Sequence, residues 1–255
     1  MKLFYRKFGE GEPLIILHGL FGQSDNWASL ARQFAGRGLA VYTLDLRNHG
    51  LSPWSDEWNY PVMARDVEEF TEELGLRNIT LLGHSMGGMT AMQYAFLFPD
   101  KLSKLIVVDM APRAYPPHHD GVMEGLLSVD LNRVKTRKEA EEQLSHTINE
   151  NATRQFLLKN LYWKDDTRLA WRFNLSVIEK NIGMTGIPFD PEGRRSSIPA
   201  WFIRGDHSDY VLDSDVERIE ELFPLAKLIT IPGAGHWIHA DKPALFLDTV
   251  MDICK

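Results

Sequence analysis

Residues 81–95, LLGHSMGGMTAMQYA, place a serine among glycines where an apolar run gives way to small and helix-forming residues. Glycine weakens a helix interior by roughly 1 kcal/mol relative to alanine, so Gly87 and Gly88 at the start of a helical stretch need a geometric reason. Gly83-His84-Ser85-Met86-Gly87 supplies one. In a G-x-S-x-G segment between a strand and a helix, the chain turns sharply and the serine at the apex adopts a strained backbone conformation. Strand and helix then pass so closely that side chains two positions either side of the serine would collide. Ser85 is thereby exposed at a helix N-terminus, where the N–H of Met86 and the helix dipole face any negative charge that develops beside it.

The rest of the chain fits that junction. Segments reading as strands occur at LFYRKFG, LIILHG, LAVYTLD, NITLLGHS and LSKLIVVDMAP, and helical spacing recurs in NWASLARQFAGRG, YPVMARDVEEFTEELGL and GGMTAMQYAFLFP. From about Ala114 to Ser197 the rhythm changes to charged helical segments such as TRKEAEEQLSHTI and NATRQFLLKNLYW, without a buried strand. Strands resume at IPAWFIRGD and AKLITIPGAGHW, with SDVERIEELFP and PALFLDTVMDICK as helices. Strands alternating with helices predict an α/β fold, a mostly parallel sheet with helices on both faces. The expected organisation is a core of residues 1–113 and 198–255, with residues 114–197 inserted as a helical cap.

Composition narrows the function classes. At 255 residues, 44% hydrophobic and 25% charged, the chain suits one large globular domain. A formal charge of −7 disfavours a nucleic-acid partner. Cys254 is the single cysteine, so no intrachain disulfide forms and a reducing compartment is expected. Lys2, Arg6, Lys7, Glu10 and Glu12 interrupt any apolar run of an export signal, and no segment has the roughly 20 apolar residues of a membrane span. A cytoplasmic protein is expected. Nothing in the sequence sets its oligomeric state.

A serine hydroxyl becomes a nucleophile only when a base takes its proton and a third group orients that base. IPGAGHWIHADKP offers His236 in a glycine loop after the last strand, ahead of His239, which leads into the final helix. A metal site at these histidines is disfavoured, because no further ligand follows at a suitable spacing. His118 and His119 fall in the insertion and are expected to face solvent. LHGLFG, residues 17–22, follows the second strand, where Leu20 can present its N–H as a second oxyanion donor beside Met86.

LHGLFG, LDLRNHGLSP, GHSMGG, VVDMAP and GAGHWIHADKP together resemble the YbfF-type esterases of bacteria and their eukaryotic abhydrolase-domain relatives, within the α/β-hydrolase fold. The resemblance covers essentially the whole chain. It implies a serine hydrolase without a cofactor, cleaving acyl esters, with acyl thioesters as a related class, and with a cap shaping an apolar crevice. Most α/β-hydrolases carry the acid in a G-x-x-D turn after the strand that follows the cap. Aligning FIRGDHSDYV on Gly205 and Val211 puts Ser208 at that place, flanked by Asp206 and Asp209. The YbfF-type enzymes have an aspartate ending the strand before the cap, which here is Asp109. A carboxylate closing an apolar strand is expensive to bury without a donor, and a histidine N–H supplies one. Asp109 is the expected acid, with Asp209 and Asp206 as alternatives.

The loop DLRNHGLSP is expected to brace the serine turn from below. Trp163, Trp171, Phe173 and Trp237 either line an acyl pocket or form the cap's own core. The nucleophile being serine, dehalogenase chemistry is excluded. A cofactor-free haloperoxidase, a carbon–carbon bond hydrolase and a non-catalytic ligand-binding relative remain as alternatives.

Overall fold

The computed structural model describes residues 1–115, 120–187, 189 and 191–255. Among them, seven strands form one sheet: β1 (Tyr5–Phe8), β2 (Glu12–Leu17), β3 (Leu39–Leu44), β4 (Ile79–His84), β5 (Leu102–Val108), β8 (Ala200–Gly205) and β9 (Ala226–Ile231). The spatial order is β1-β3-β2-β4-β5-β8-β9. β1 pairs antiparallel with β3, and every other pairing in this sheet is parallel.

Strand β2 shows how sequence becomes layers. Its apolar residues alternate faces, Leu14 and Ile16 entering one core cluster and Ile15 and Leu17 the other. On the first face lie α1 (Ala28–Ala35) and α10 (Pro243–Cys254), through Phe34, Phe246 and Val250. The second face packs α2 (Tyr60–Glu73), α3 (Met86–Leu97) and α8 (Val216–Leu222), through Val67, Phe70, Met92 and Leu222. With both faces covered, the central strands read as unbroken apolar runs. Helix α2 starts where Asn59 caps the N–H of Val62 at 2.9 Å with Pro61 in the first turn, and it stops at Gly75, which has a φ of +63°. The short α9 (Ile238–Asp241) precedes α10.

Between β5 and β8 the chain forms α4 (Asp120–Ser128), α5 (Arg137–Ser145), α6 (Asn151–Leu158), the strands β6 (Leu161–Trp163) and β7 (Leu169–Trp171), and α7 (Leu175–Asn181). The hairpin departs from the sequence expectation of helix through Trp163. Helix α6 ends at Leu158, and Leu161–Trp163 pairs antiparallel with Leu169–Trp171. Asp165 is the reason: its Oδ1 accepts the N–H groups of Thr167 at 3.0 Å and Arg168 at 2.9 Å, a local turn that folds the chain back. Tyr162, Trp163 and Trp171 then favour extended backbone. His118 and His119 lie outside the described residues.

Candidate active site

Ser85 sits between β4 and α3 with φ 53° and ψ −119°, a conformation that L-residues rarely adopt. Its N–H bonds to the carbonyl of Val108 at 3.0 Å, and its own carbonyl accepts Gly88 N–H at 2.8 Å, starting the helix. A Cβ on Gly83 would lie 2.1 Å from the Gly87 carbonyl oxygen, and one on Gly87 would lie 2.4 Å from that of Leu17. Neither contact is tolerable. The glycines are therefore required by close backbone approach, as the spacing predicts.

The residue that follows β5 is also strained. Asp109 has φ 50°, and its N–H continues the ladder to β8 by bonding the Ile203 carbonyl at 2.8 Å. The left-handed conformation turns its carboxylate to the sheet edge, wholly buried. There Oδ2 lies 2.7 Å from Nδ1 of His236 and accepts the hydroxyl of Ser208, while Oδ1 accepts Gly205 N–H at 3.3 Å. A buried carboxylate needs such donors to stay charged.

His236 is fixed on several sides. The ring of Tyr210 stacks on its imidazole, with centroids 3.7 Å apart and planes 18° from parallel. His84 Nε2 lies 2.9 Å from its carbonyl oxygen. Its loop is held by Asp206, which accepts the N–H groups of Gly233 at 2.6 Å and Ala234 at 3.2 Å, and by Asp241, which accepts that of Gly235 at 2.8 Å. Asp206 thus faces the loop backbone. Asp209 is exposed, and its carbonyl accepts from Arg113 Nη2 at 3.0 Å. Of the three aspartates, Asp109 is the one bonded to the imidazole. Tyr210 had no signal in the sequence; burial, then the nearby Asp109 carboxylate, pushes its phenol up to about 12.

His239 is half-buried and stacked on Trp27, with centroids 4.2 Å apart. Burial, with His236 nearby, pulls its pKa down to about 3, and among the described residues Nδ1 has no hydrogen-bond partner. It packs as a neutral ring. Among the described residues no three acidic, histidine or cysteine side chains form a potential metal site.

The loop after β2 lies against Ser85. A Cβ on Gly19 would meet that of Ser85 at 3.2 Å. The Gly19 carbonyl accepts from His18 Nδ1 at 2.8 Å and from Gly22 N–H at 2.9 Å. A trans peptide points its N–H opposite its carbonyl, so these two bonds set the direction of the Leu20 N–H. His18 Nε2 accepts Leu46 N–H at 3.0 Å, which places its ring proton on Nδ1. Burial pulls the pKa of this ring down to about 4, keeping it neutral.

The 45–53 loop, expected to brace the serine turn, bonds instead to the loop after β2, to α2 and to itself. Asp45 accepts the N–H groups of Ser24 at 2.5 Å and Leu51 at 2.7 Å, and Arg47 forms a buried bidentate pair with Asp66 at 2.6 and 2.8 Å. His49 accepts Phe21 N–H at 3.3 Å, and burial lowers its pKa to about 3.

Of the four aromatics expected at the crevice, Phe173 packs on Phe21 with centroids 5.0 Å apart, and Trp237 packs on Phe156 at 5.4 Å. Trp171 is buried and stacked on Phe173 at 5.4 Å, whereas Trp163 is 53% exposed.

The model of the alpha/beta hydrolase fold family matches residues 12–243. The sn-1-specific diacylglycerol lipase ABHD11 of Xenopus tropicalis is 40% identical over 252 residues, covering 96% of this chain and 78% of the relative. Esterase YbfF of Escherichia coli K12 is 35% identical, covering 93% and 91% of the two chains. A solved marine microorganism esterase superimposes with a TM-score of 0.95 at 45% identity, over 98% of each chain. No helix among the described residues is long and apolar enough to cross a membrane. In sheet order, serine turn and sequence, this chain belongs to the alpha/beta hydrolase fold family.

Proposed function

We propose that the protein is a serine carboxylesterase acting on short-to-medium acyl esters, with acyl thioesters as a related substrate class. The observation that carries this reading is the buried Asp109 carboxylate bonded to His236, whose ring lies 4.8 Å, centroid to centroid, from that of His84, the chain neighbour of the strained Ser85. Ser85 Oγ attacks the acyl carbon while His236 takes the hydroxyl proton; His236 then returns it to the departing alcohol or thiol, leaving an acyl-enzyme. Water, deprotonated by the same histidine, attacks the acyl carbon and releases the acid and Ser85. Asp109 holds the imidazole in one tautomer and balances its transient positive charge. The Leu20 and Met86 N–H groups hold the tetrahedral oxyanion. Residues 114–197 act as the cap on a core of residues 1–113 and 198–255. Phe173 and Trp237 border the acyl crevice, with Trp171 supporting Phe173 and Trp163 at the outer margin. A single cysteine suits the reducing cytoplasm, the proposed location.

Hydrolysis of p-nitrophenyl esters from acetate to decanoate, compared between wild type and Ser85→Ala, tests this. Activity that is lost in Ser85→Ala and peaks at one chain length supports the reading and sizes the crevice. A wild-type rate no greater than that of Ser85→Ala on every ester overturns it in favour of a ligand-binding relative.

A further inference from the structure

Two buried asparagines of the cap bond to the core, and each meets a core residue with left-handed backbone. Asn160, in the turn between α6 and β6, donates through Nδ2 to the carbonyl of Phe21 at 2.8 Å, and Phe21 has φ 60°. The N–H of Asn174 bonds to the carbonyl of Asn48 at 2.8 Å, and Asn48 has φ 65°. Asparagine tolerates that conformation, but for phenylalanine it is strained and persists only where the surroundings impose it.

Phe21 is the third residue of the turn closed by Gly22 N–H on the Gly19 carbonyl, a position where positive φ ordinarily calls for glycine. Three contacts hold it: His49 takes its N–H, Asn160 takes its carbonyl, and Phe173 packs on its ring. Two of these come from the cap. Without them the turn relaxes to negative φ, rotating the Leu20–Phe21 peptide, releasing Phe21 N–H from His49 and disturbing the adjoining Gly19–Leu20 peptide.

We propose that Asn160 is a positioning residue of the oxyanion hole, acting through the Phe21 carbonyl on the direction of the Leu20 N–H. The inference rests on the proposed role of Leu20. It makes the cap a strut of the catalytic turn as well as a cover for the crevice, so that lifting the cap at this point loosens the oxyanion hole. Asn160 itself is fully buried and is tied to the cap by its carbonyl, which accepts Arg172 N–H at 2.9 Å.

The test is the rate at which a fluorophosphonate labels Ser85. The serine oxygen attacks phosphorus, fluoride leaves, His236 takes the proton, and the phosphoryl oxygen occupies the oxyanion hole. Asn160→Ala and the isosteric Asn160→Asp are expected to lower labelling and kcat by about 10- to 100-fold, with KM within about threefold. Asn174→Ala, which removes the side-chain bond from Nδ2 to Asn48 Oδ1 at 3.3 Å while keeping the backbone bond and all three contacts to Phe21, is expected to stay within about threefold of wild type. Adding Phe21→Gly to Asn160→Ala is expected to restore much of the loss, because glycine holds positive φ without the strut. Wild-type labelling in folded Asn160 variants overturns the proposal. So does a loss that Phe21→Gly does not relieve, including a loss through misfolding. Wild-type protein that is labelled but hydrolyses no ester leaves this inference standing while the esterase reading falls; unlabelled wild type overturns both.

Discussion

His236 Nδ1 lies 2.7 Å from Oδ2 of Asp109, and that same oxygen accepts the hydroxyl of Ser208. The carboxylate is sealed from solvent, so the imidazole N–H is both its partner and its outlet toward the reaction. Asp109→Asn preserves shape but favours the wrong imidazole tautomer. Turnover is expected to fall by about four orders of magnitude, as in the serine-protease case with the same substitution. Asp206→Asn and Asp209→Asn are expected to stay within about tenfold of wild type. Steady-state kinetics on the preferred ester check the ranking, and the reverse order assigns the acid to the 206–209 loop.

Ser208 aligns with the place where most members of the fold carry the acid, and here its hydroxyl donates to Asp109, the proposed acid. Ser208→Ala removes one of three donors to a buried carboxylate, leaving His236 and Gly205. A loss of roughly 1–2 kcal/mol of interaction is expected, read as about a tenfold fall in kcat with KM unchanged. An unchanged kcat would mean that the hydroxyl only fills space.

Ser85 is held at φ 53° and ψ −119°. Glycine adopts such a conformation without a Cβ clash, so Ser85→Gly is expected to be more stable than Ser85→Ala by about 1 kcal/mol, both being inactive. Urea unfolding of the two variants measures the difference. Equal stabilities would place the strain elsewhere.

Four histidines lie neutral in or under the site. Burial takes His18 down to about 4 and His49 and His239 to about 3, and it holds His84 well below the ordinary histidine value. The folded state therefore binds fewer protons than the unfolded chain once the pH drops below about 6.5, and stability falls with acidity. Each histidine is expected to contribute about 1 kcal/mol of loss between pH 7.5 and pH 5.5. Urea unfolding across that range checks the slope; His239→Gln, replacing a ring stacked on Trp27, should lower it by about one proton.

The serine turn was legible because it is written in contiguous residues whose spacing has one geometric meaning; His236 stood ahead of His239 through its glycine loop, and Asp109 was reached through the family resemblance, with Asp209 and Asp206 as alternatives. The sheet was legible because parallel strands buried on both faces are continuous apolar runs. Tyr210, Asn160 and the role of Ser208 were not, since each acts through a contact between residues far apart in the chain. The β6–β7 hairpin escaped for a different reason. Its three-residue strands carry too little periodicity to compete with the helical spacing before them, and the side chain of Asp165 decides the turn. The four aromatics were read as one group, whereas the fold divides them: Trp163 is exposed while Trp171 and Phe173 are buried.

Strands β5 and β8 lie side by side, Val108 opposite Ile203, and so terminate at one edge of the sheet. The seats of Asp109, one residue past the end of β5, and Ser208, three past the end of β8, come within a single hydrogen bond. Exchanging the two side chains would move the negative charge from one strand to its neighbour while leaving His236 and Ser85 in place.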